Sequence, residues 1–478
     1  MDALSETVRD AYDPERFRQE GHAVIDQIAE YLRSVTSGIG PVLPWIEPEA
    51  SLARWPDSPP GTPSGSMAEF LGRVLSGSNH LHHPRYVGHQ VTAPLPSSAL
   101  LHLVTALLNN GTAIYEMGPV SSPLERRSIL WMARQAGLPA GADGVLTSGG
   151  SLGNLTALLA ARQAITGRDV WDEGLAGGRP LAILAPEETH YSIRRAAQIL
   201  GLGKGGIVPV PVDARFRLRP EALPTALAEA ERSGRQVFAV VASAGSTSTG
   251  AFDPLEAVAE FCRQHGLWFH VDGAHGASAV LSPKYASLAA GIGRADSLVW
   301  DTHKMMLLPA LLTAVLFREA SSSYRAFSQR AEYIFRGHTE GEWWTSGLRT
   351  VECTKRMMGV ELWGALALHG TRFFSDYVTR MFDLGRTFAR MVDEADDFEL
   401  AAEPDCNIVC FRHVPEDFEG LDAHQDAVRA KLLAEGSFYL VRTRLAGHVY
   451  LRVTLINPLT TEADLEALLE AIRRVASS

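Results

Sequence analysis

The stretch LWFHVDGAHG, residues 267–276, reads as a buried strand that carries a carboxylate to its own end. Leu267–Val271 is a largely apolar run, and Asp272 follows it directly. In open α/β sheets, ligands collect at the carboxyl ends of strands. A carboxylate buried there needs a cation or hydrogen-bond donors beside it. Taken alone, Asp272 reads equally well as a turn or helix-cap aspartate.

Thirty residues on, SLVWDTHK (297–304) repeats the pattern with a lysine. Lys304 follows a second apolar run, and Met305–Leu308 keeps its surroundings apolar. Desolvation lowers an amine's pKa and favours the neutral, nucleophilic form that condenses with an aldehyde. A lysine that snorkels to solvent is the alternative. A third element is TSGGSLGN, residues 147–154, a Gly/Ser turn between a strand and a helix. Free N–H groups and the helix dipole there suit a phosphate, with the Ser151 hydroxyl nearby. The turn lacks the lysine of a Walker loop and the spacing of a dinucleotide fingerprint. The similar-looking GLGKGG (201–206) follows a helix and reads as a helix stop and turn.

Around these three pieces the chain alternates short apolar runs with helical patterns. LAILAPEETHYS precedes IRRAAQILG, and QVFAVVASAGSTSTG precedes DPLEAVAEFCRQHG. That alternation predicts a mostly parallel sheet covered on both faces. The apolar stretch from Met305 to Phe317 contains Pro309, is too short to span a membrane and reads as a buried strand. Residues 13–36 read as a helix that starts at Asp13-Pro14-Glu15. Gly38 to Ser66 reads as a connector lying along another surface. Helical periodicity returns at TKRMMGVELWGALALHG (354–370). It is followed by strands in FELAAEP, NIVCFRHV and HVYLRVTLI and by a last helix in TTEADLEALLEAIRRVA. The expected division is an N-terminal helical arm and linker over 1–84, a large domain over 85–357 and a small C-terminal α+β domain over 358–478.

A chain of 478 residues can bury a large core unaided. Its net charge of −11 disfavours nucleic acid and anionic membrane as partners. The four cysteines, Cys262, Cys353, Cys406 and Cys410, form no C-x-x-C pair and read as reduced thiols, with no metal expected. The acidic start MDALSETVRDAYDPERF predicts no signal peptide, and a cytoplasmic location is expected.

A phosphate cradle, a buried aspartate and a buried lysine are together what pyridoxal 5′-phosphate (PLP) requires: an anchor, a partner for the pyridine nitrogen and an amine. The ordered set TSGGS, ETHYS, GSTSTGAFDPL, HVDGAHG and THKMM resembles the group II PLP-dependent amino-acid decarboxylases. That family includes glutamate, cysteine-sulfinate, diaminobutyrate and aromatic amino-acid decarboxylases. The resemblance runs from HPRY (83–86) to LRVTLINP (451–458). It implies PLP-dependent transferase fold type I, the aspartate aminotransferase-like α/β architecture. It also implies a homodimer and a small-molecule L-amino acid substrate.

Roles follow from the resemblance residue by residue. Lys304 is similar to the lysine that carries the cofactor as an imine, and Asp272 to the pyridine-nitrogen partner. Ala274 is expected beneath the ring and His190, in ETHYS, on its other face. Gly150 and Ser151 match phosphate ligands, Thr247 a cofactor-site threonine, and His303 the histidine before the lysine. Arg452 matches the arginine for the substrate α-carboxylate, with His89 and Thr92 in the same pocket. Tyr333, in AEYIF, resembles the tyrosine of a mobile catalytic loop, beside GHTEGEW, and is expected to protonate Cα. Three positions depart from the family. Asp301-Thr302 stands where Asn-Pro is common, Leu152 stands where the phosphate loop has Glu, and His89 stands where the glutamate branch has Gln. IYEMGPV (114–120), HKMM and INP lean toward the glutamate and cysteine-sulfinate branch. An aldehyde-forming oxidation, a carbon–carbon lyase step, a transamination and a non-catalytic PLP-binding protein are the rival readings.

Overall fold

The computed structural model describes residues 6–62, 64–327, 342–416 and 419–477. Two sheets organise them. The larger has seven strands: β1 (Asp143–Thr147), β2 (Leu181–Pro186), β3 (Ile207–Val210), β4 (Gln236–Ser243), β5 (Trp268–Asp272), β6 (Ser297–Asp301) and β7 (Thr313–Phe317). Their order is β1-β7-β6-β5-β4-β2-β3, and only β7 runs antiparallel to its neighbours. This is the mostly parallel sheet of fold type I.

The strands read as unbroken apolar runs because both faces are covered. In β4, Val237, Val240 and Ala242 pack into one core, while Phe238, Ala239 and Val241 pack into the other. In β6 and β7 the same alternation sends Leu298, Trp300 and Leu316 one way and Val299, Val315 and Phe317 the other. Each Val, Leu or Phe among them contributes about 1.5–3 kcal/mol through burial, a sizeable fraction of a domain's net stability of about 5–15 kcal/mol. Helix Gly150–Ile165 crosses one face over β4, β5, β6 and β7, and helix Leu255–His265 covers the opposite face at β4 and β5.

The Met305–Phe317 stretch enters the sheet only from Thr313. Pro309 has no N–H to give to a ladder, and Leu307 sits at φ 58, outside strand geometry. The first half of the stretch is therefore a loop, buried at Met306–Leu308 and exposed at Ala310 and Leu311, and the strand is its second half.

The smaller sheet, antiparallel in the order β10-β11-β9-β8, is formed by β8 (Phe398–Leu400), β9 (Ile408–His413), β10 (Val441–Leu445) and β11 (His448–Thr454). A long helix, Met358–Asp393, precedes it and bends at Gly370, whose φ of 74 and ψ of 157 only glycine adopts readily. Helix Pro14–Thr36 starts at Asp13, which accepts the Glu15 N–H as its cap. The connector after it is pinned by Val42, whose N–H donates to the Gly436 carbonyl at 2.8 Å. Helix Met67–Gly77, unassigned from sequence, begins with a reciprocal Ser66–Glu69 capping box. Residues 81–87 are fastened to the small sheet: Asn457 Nδ2 donates to the Leu81 and His83 carbonyls, and the Thr454 N–H donates to the Val87 carbonyl.

Candidate active site

The carboxyl ends of β1, β2, β5 and β6 converge, and the residues that follow them form the site. β1 ends at Thr147 and turns through Gly149, whose φ of 102 is left-handed, into helix Gly150–Ile165. No side chain caps that helix, so its first N–H groups point outward as an anion cradle. Ser148 is engaged elsewhere, its hydroxyl donating to Glu352 at 2.5 Å. Ser151 is exposed on the first turn.

Asp272 ends β5 and is buried. Its Oδ1 accepts the Ala274 N–H at 3.2 Å, and its Oδ2 accepts Asn154 Nδ2 at 3.1 Å. His190 caps helix Tyr191–Ile199 and is held through Nδ1 by Ser192 Oγ at 2.8 Å. Burial lowers its pKa most, and Lys304 adds to this; the Asp272 and Asp301 carboxylates oppose it, without reversing the shift. The imidazole is therefore neutral near pH 7.

Lys304 lies in the single helical turn after β6, and its Nζ is 3.1 Å from Asp301 Oδ2. Asp301 Oδ1 also accepts the hydroxyl of Thr313, its cross-strand partner on β7, at 2.5 Å. Burial pushes the Asp301 pKa up, but Lys304, His303 and Thr313 more than offset this and hold it below the usual value. Asp301 is thus an ionised carboxylate. It also faces the cradle, since a Cβ added to Gly150 would stand 2.9 Å from Asp301 Oδ2. His303 turns Nδ1 to the Leu312 backbone and Nε2 to Asp301 at 3.7 Å.

Arg452, on β11, reaches the same region from the small sheet. It is 6% exposed, donates through Nη1 to the Thr247 carbonyl and leaves its Nε without a partner among the described residues. A buried guanidinium so incompletely satisfied is a ready seat for a carboxylate. His89 is close by, its pKa lowered first by burial and then by Arg452 and Arg429. Tyr86 stacks on Tyr439 with ring centres 5.2 Å apart, and His89 tilts against Tyr439 at 5.8 Å.

Most of the residues expected from sequence therefore fall in one region: Gly150, Ser151, His190, Asp272, Ala274, His303 and Lys304, with Thr247, Arg452 and His89 beside them. Thr92 is buried with its hydroxyl toward the Ala93 carbonyl and lies against Tyr377. Tyr333 lies outside the described residues. The sequence reading passed over Asn154 and Arg429. Asn154 stood inside the quoted TSGGSLGN turn, as a polar residue about to enter a buried helix face.

The donor set fits PLP. It offers an uncapped helix start for the phosphate, a hydrogen-bonded buried carboxylate for the ring nitrogen and the Lys304 amine beside Asp301. Residues 68–414 match the model of the pyridoxal-dependent decarboxylase conserved domain. The chain belongs to the pyridoxal-dependent decarboxylase family. It is 31% identical to cysteine sulfinic acid decarboxylase of Mus musculus over 462 residues, covering 92% of each chain. It is 29% identical to aromatic-L-amino-acid decarboxylase of Bacillus atrophaeus over 475 residues, covering 97% of this chain and 96% of that one. The crystal structure of mouse CSAD superposes with a TM-score of 0.89 at 29% identity, covering 97% of this chain and 99% of the other. Like its family, the protein is a PLP-dependent amino-acid carboxy-lyase. Since a sulfinate-acting and an aromatic-acting relative are almost equally similar in sequence, identity alone does not select the substrate.

Proposed function

We propose that this decarboxylase removes the α-carboxylate of an acidic L-amino acid, in the glutamate and cysteine-sulfinate branch. The observation that carries the reading is a pair of arginines. Arg452 and Arg429 both bear on His89, and each has a buried Nε with no partner among the described residues. A substrate with two anionic groups matches two such cations; an aromatic side chain would leave one unanswered.

In this reading Lys304 would hold the cofactor through its aldehyde, and Gly150 and Ser151 would give N–H groups to its phosphate. Asp272 keeps a proton on the ring nitrogen. His190 and Ala274 would hold the ring between them. When bound, PLP supplies an electron sink for the pair released as the Cα–carboxylate bond breaks. Arg452, oriented by the Thr247 carbonyl, holds the α-carboxylate, and Arg429 with His89 takes the distal acid. Tyr333 gives the proton to Cα.

The reading extends to a cytoplasmic homodimer. Helix Pro96–Leu108 leaves Leu100, Leu103, Val104, Leu107 and Leu108 exposed, spaced as one helical stripe, beside exposed Phe17, Ile25 and Met67 of the N-terminal arm. A second copy of the chain would cover that stripe. Among the described residues no helix is long and apolar enough to cross a membrane.

A panel of L-amino acids, read by carbon dioxide release and product mass spectrometry, tests the substrate. Acidic substrates should lead it, and Arg429→Gln should cut efficiency on those substrates about tenfold or more while sparing any residual aromatic activity. An aromatic amino acid as the preferred substrate would remove the reading. Lys304→Ala should abolish both turnover and the visible absorbance of the protein-bound cofactor. Tyr333→Phe should still release carbon dioxide but divert product from amine toward aldehyde, with oxygen consumed. An unchanged amine yield would take Tyr333 out of the chemistry.

A further inference from the structure

Strand β5 places Trp268, His270 and Asp272 on one face, because side chains two apart point the same way. Helix Gly150–Ile165 covers that face and brings Asn154 over it. Several polar groups beneath the helix are joined in one run, and Ser297, His270, Asn154, Asp272 and Ser192 in it are buried. Trp268 Nε1 is 2.8 Å from Ser297 Oγ, and Ser297 Oγ is 2.8 Å from His270 Nδ1. His270 Nε2 is 2.9 Å from Asn154 Oδ1. Asn154 Nδ2 reaches both Asp272 Oδ2, at 3.1 Å, and Ser192 Oγ, at 2.9 Å. Ser192 Oγ meets His190 Nδ1.

The chemistry of these groups permits only one arrangement of protons. An ionised carboxylate only accepts, so the amide nitrogen of Asn154 must face Asp272, and its oxygen must face His270. His270 therefore carries its proton on Nε2, and its Nδ1 is an acceptor. The indole N–H of Trp268 only donates, so the Ser297 hydroxyl receives from it and donates to His270 Nδ1. At the other end, Ser192 receives from Asn154 and donates to His190 Nδ1. This leaves the His190 proton on Nε2. Every hydrogen bond runs in the same sense from Trp268 toward Asp272 and His190, and no donor in the run is wasted. Burial keeps the pKa of His270 down at about 4, so no second proton disturbs the order near pH 7. Hydrogen bonds aligned in this way polarise and strengthen one another.

We propose that Asn154 is a positioning residue which, backed by His270 and Ser297, locks the Asp272 carboxylate and the His190 tautomer into one arrangement. The inference rests on the reading of Asp272 as the ring-nitrogen partner. Without Asn154, Asp272 Oδ2 loses its amide donor, and His190 loses the group that orders Ser192. The carboxylate then holds a ring-nitrogen proton less well, and the cofactor itself less tightly.

The experiment uses the holoenzyme loaded with PLP labelled with ¹⁵N at the ring nitrogen. In Asn154→Leu, close in volume and apolar, the ring-nitrogen signal should move toward the unprotonated form, and PLP should dissociate about tenfold more readily. Ser297→Ala frees His270 to flip its tautomer and should shift the signal the same way, less far, although Ser297 is remote from the cofactor. The Ser297 variant guards against an Asn154 variant that fails to fold. Asp272→Asn is the control. If Asp272→Asn moves the signal while folded Asn154→Leu and Ser297→Ala leave signal and affinity as in wild type, the inference is overturned alone. If Asp272→Asn itself leaves the signal unmoved, the assignment of Asp272 falls, and the inference with it.

Discussion

Arg452 and Asp301 are two charges that the site keeps for different reasons. Arg452 is buried, and the neutral Thr247 carbonyl accepts from its Nη1. Arg452→Lys keeps the charge but loses the planar fork that grips a carboxylate. Catalytic efficiency should fall by about tenfold or more on every amino-acid substrate. A loss confined to acidic side chains, seen in steady-state kinetics, would place Arg452 on the distal acid instead. Asp301 neutralises Lys304, yet stands against the phosphate cradle at Gly150. An ionised carboxylate there opposes a phosphate, so Asp301→Asn should raise the preference for PLP over pyridoxal about tenfold. Fluorescence titration with both forms measures this, and an unchanged preference would show that the carboxylate turns away on binding.

At the scale of elements, the start of helix Gly150–Ile165 sets two demands against each other. Alanine favours a helix over glycine by about 1 kcal/mol, so propensity alone predicts that Gly150→Ala stabilises the protein. The added Cβ would stand 2.9 and 3.0 Å from the two Asp301 oxygens, closer than real contacts allow. The close approach outweighs propensity, because both Asp301 oxygens are tied, to Lys304 and to Thr313. The variant should melt no higher than wild type and bind PLP about tenfold more weakly. A rise in melting temperature with unaltered PLP affinity would show that the cradle has room to spare. The same element shows how far sequence reading reaches. TSGGSLGN pointed to a phosphate only in company with Asp272 and Lys304, because a Gly/Ser turn between a strand and a helix also serves simply to turn the chain. It did not announce Asn154 as the partner of His270, 116 residues away, since a polar residue entering a buried helix face does not say which group it will meet.

For the whole molecule, the exposed stripe on helix Pro96–Leu108 predicts association. Leu107 is 67% exposed, the most open position of that stripe. In the proposed dimer, Leu107→Asp should shift sedimentation toward monomer and lower activity in proportion to the dimer lost. A dimer that survives unchanged would put the interface elsewhere. The two sheets meet at the site: Arg452 on β11 reaches Thr247, 205 residues earlier in the chain.

What the sequence determined by itself are the features written in local pattern. The apolar runs of β5 and β6, followed at once by Asp272 and by Asp301 to Lys304, specify buried strands that end in charged residues. Alternation with helices then specifies a mostly parallel sheet, because buried strands of this kind must be covered on both faces. The tertiary structure alone decided how the charges are shared. It gave Asp301 to Lys304, brought Arg429 near enough to act on the charge of His89 and threaded Trp268, Ser297, His270 and Asn154 into one run ending at Asp272. Such pairings join residues from strands and helices far apart in the chain. Which buried donor meets which acceptor depends on how those elements pack, and no local spacing records that.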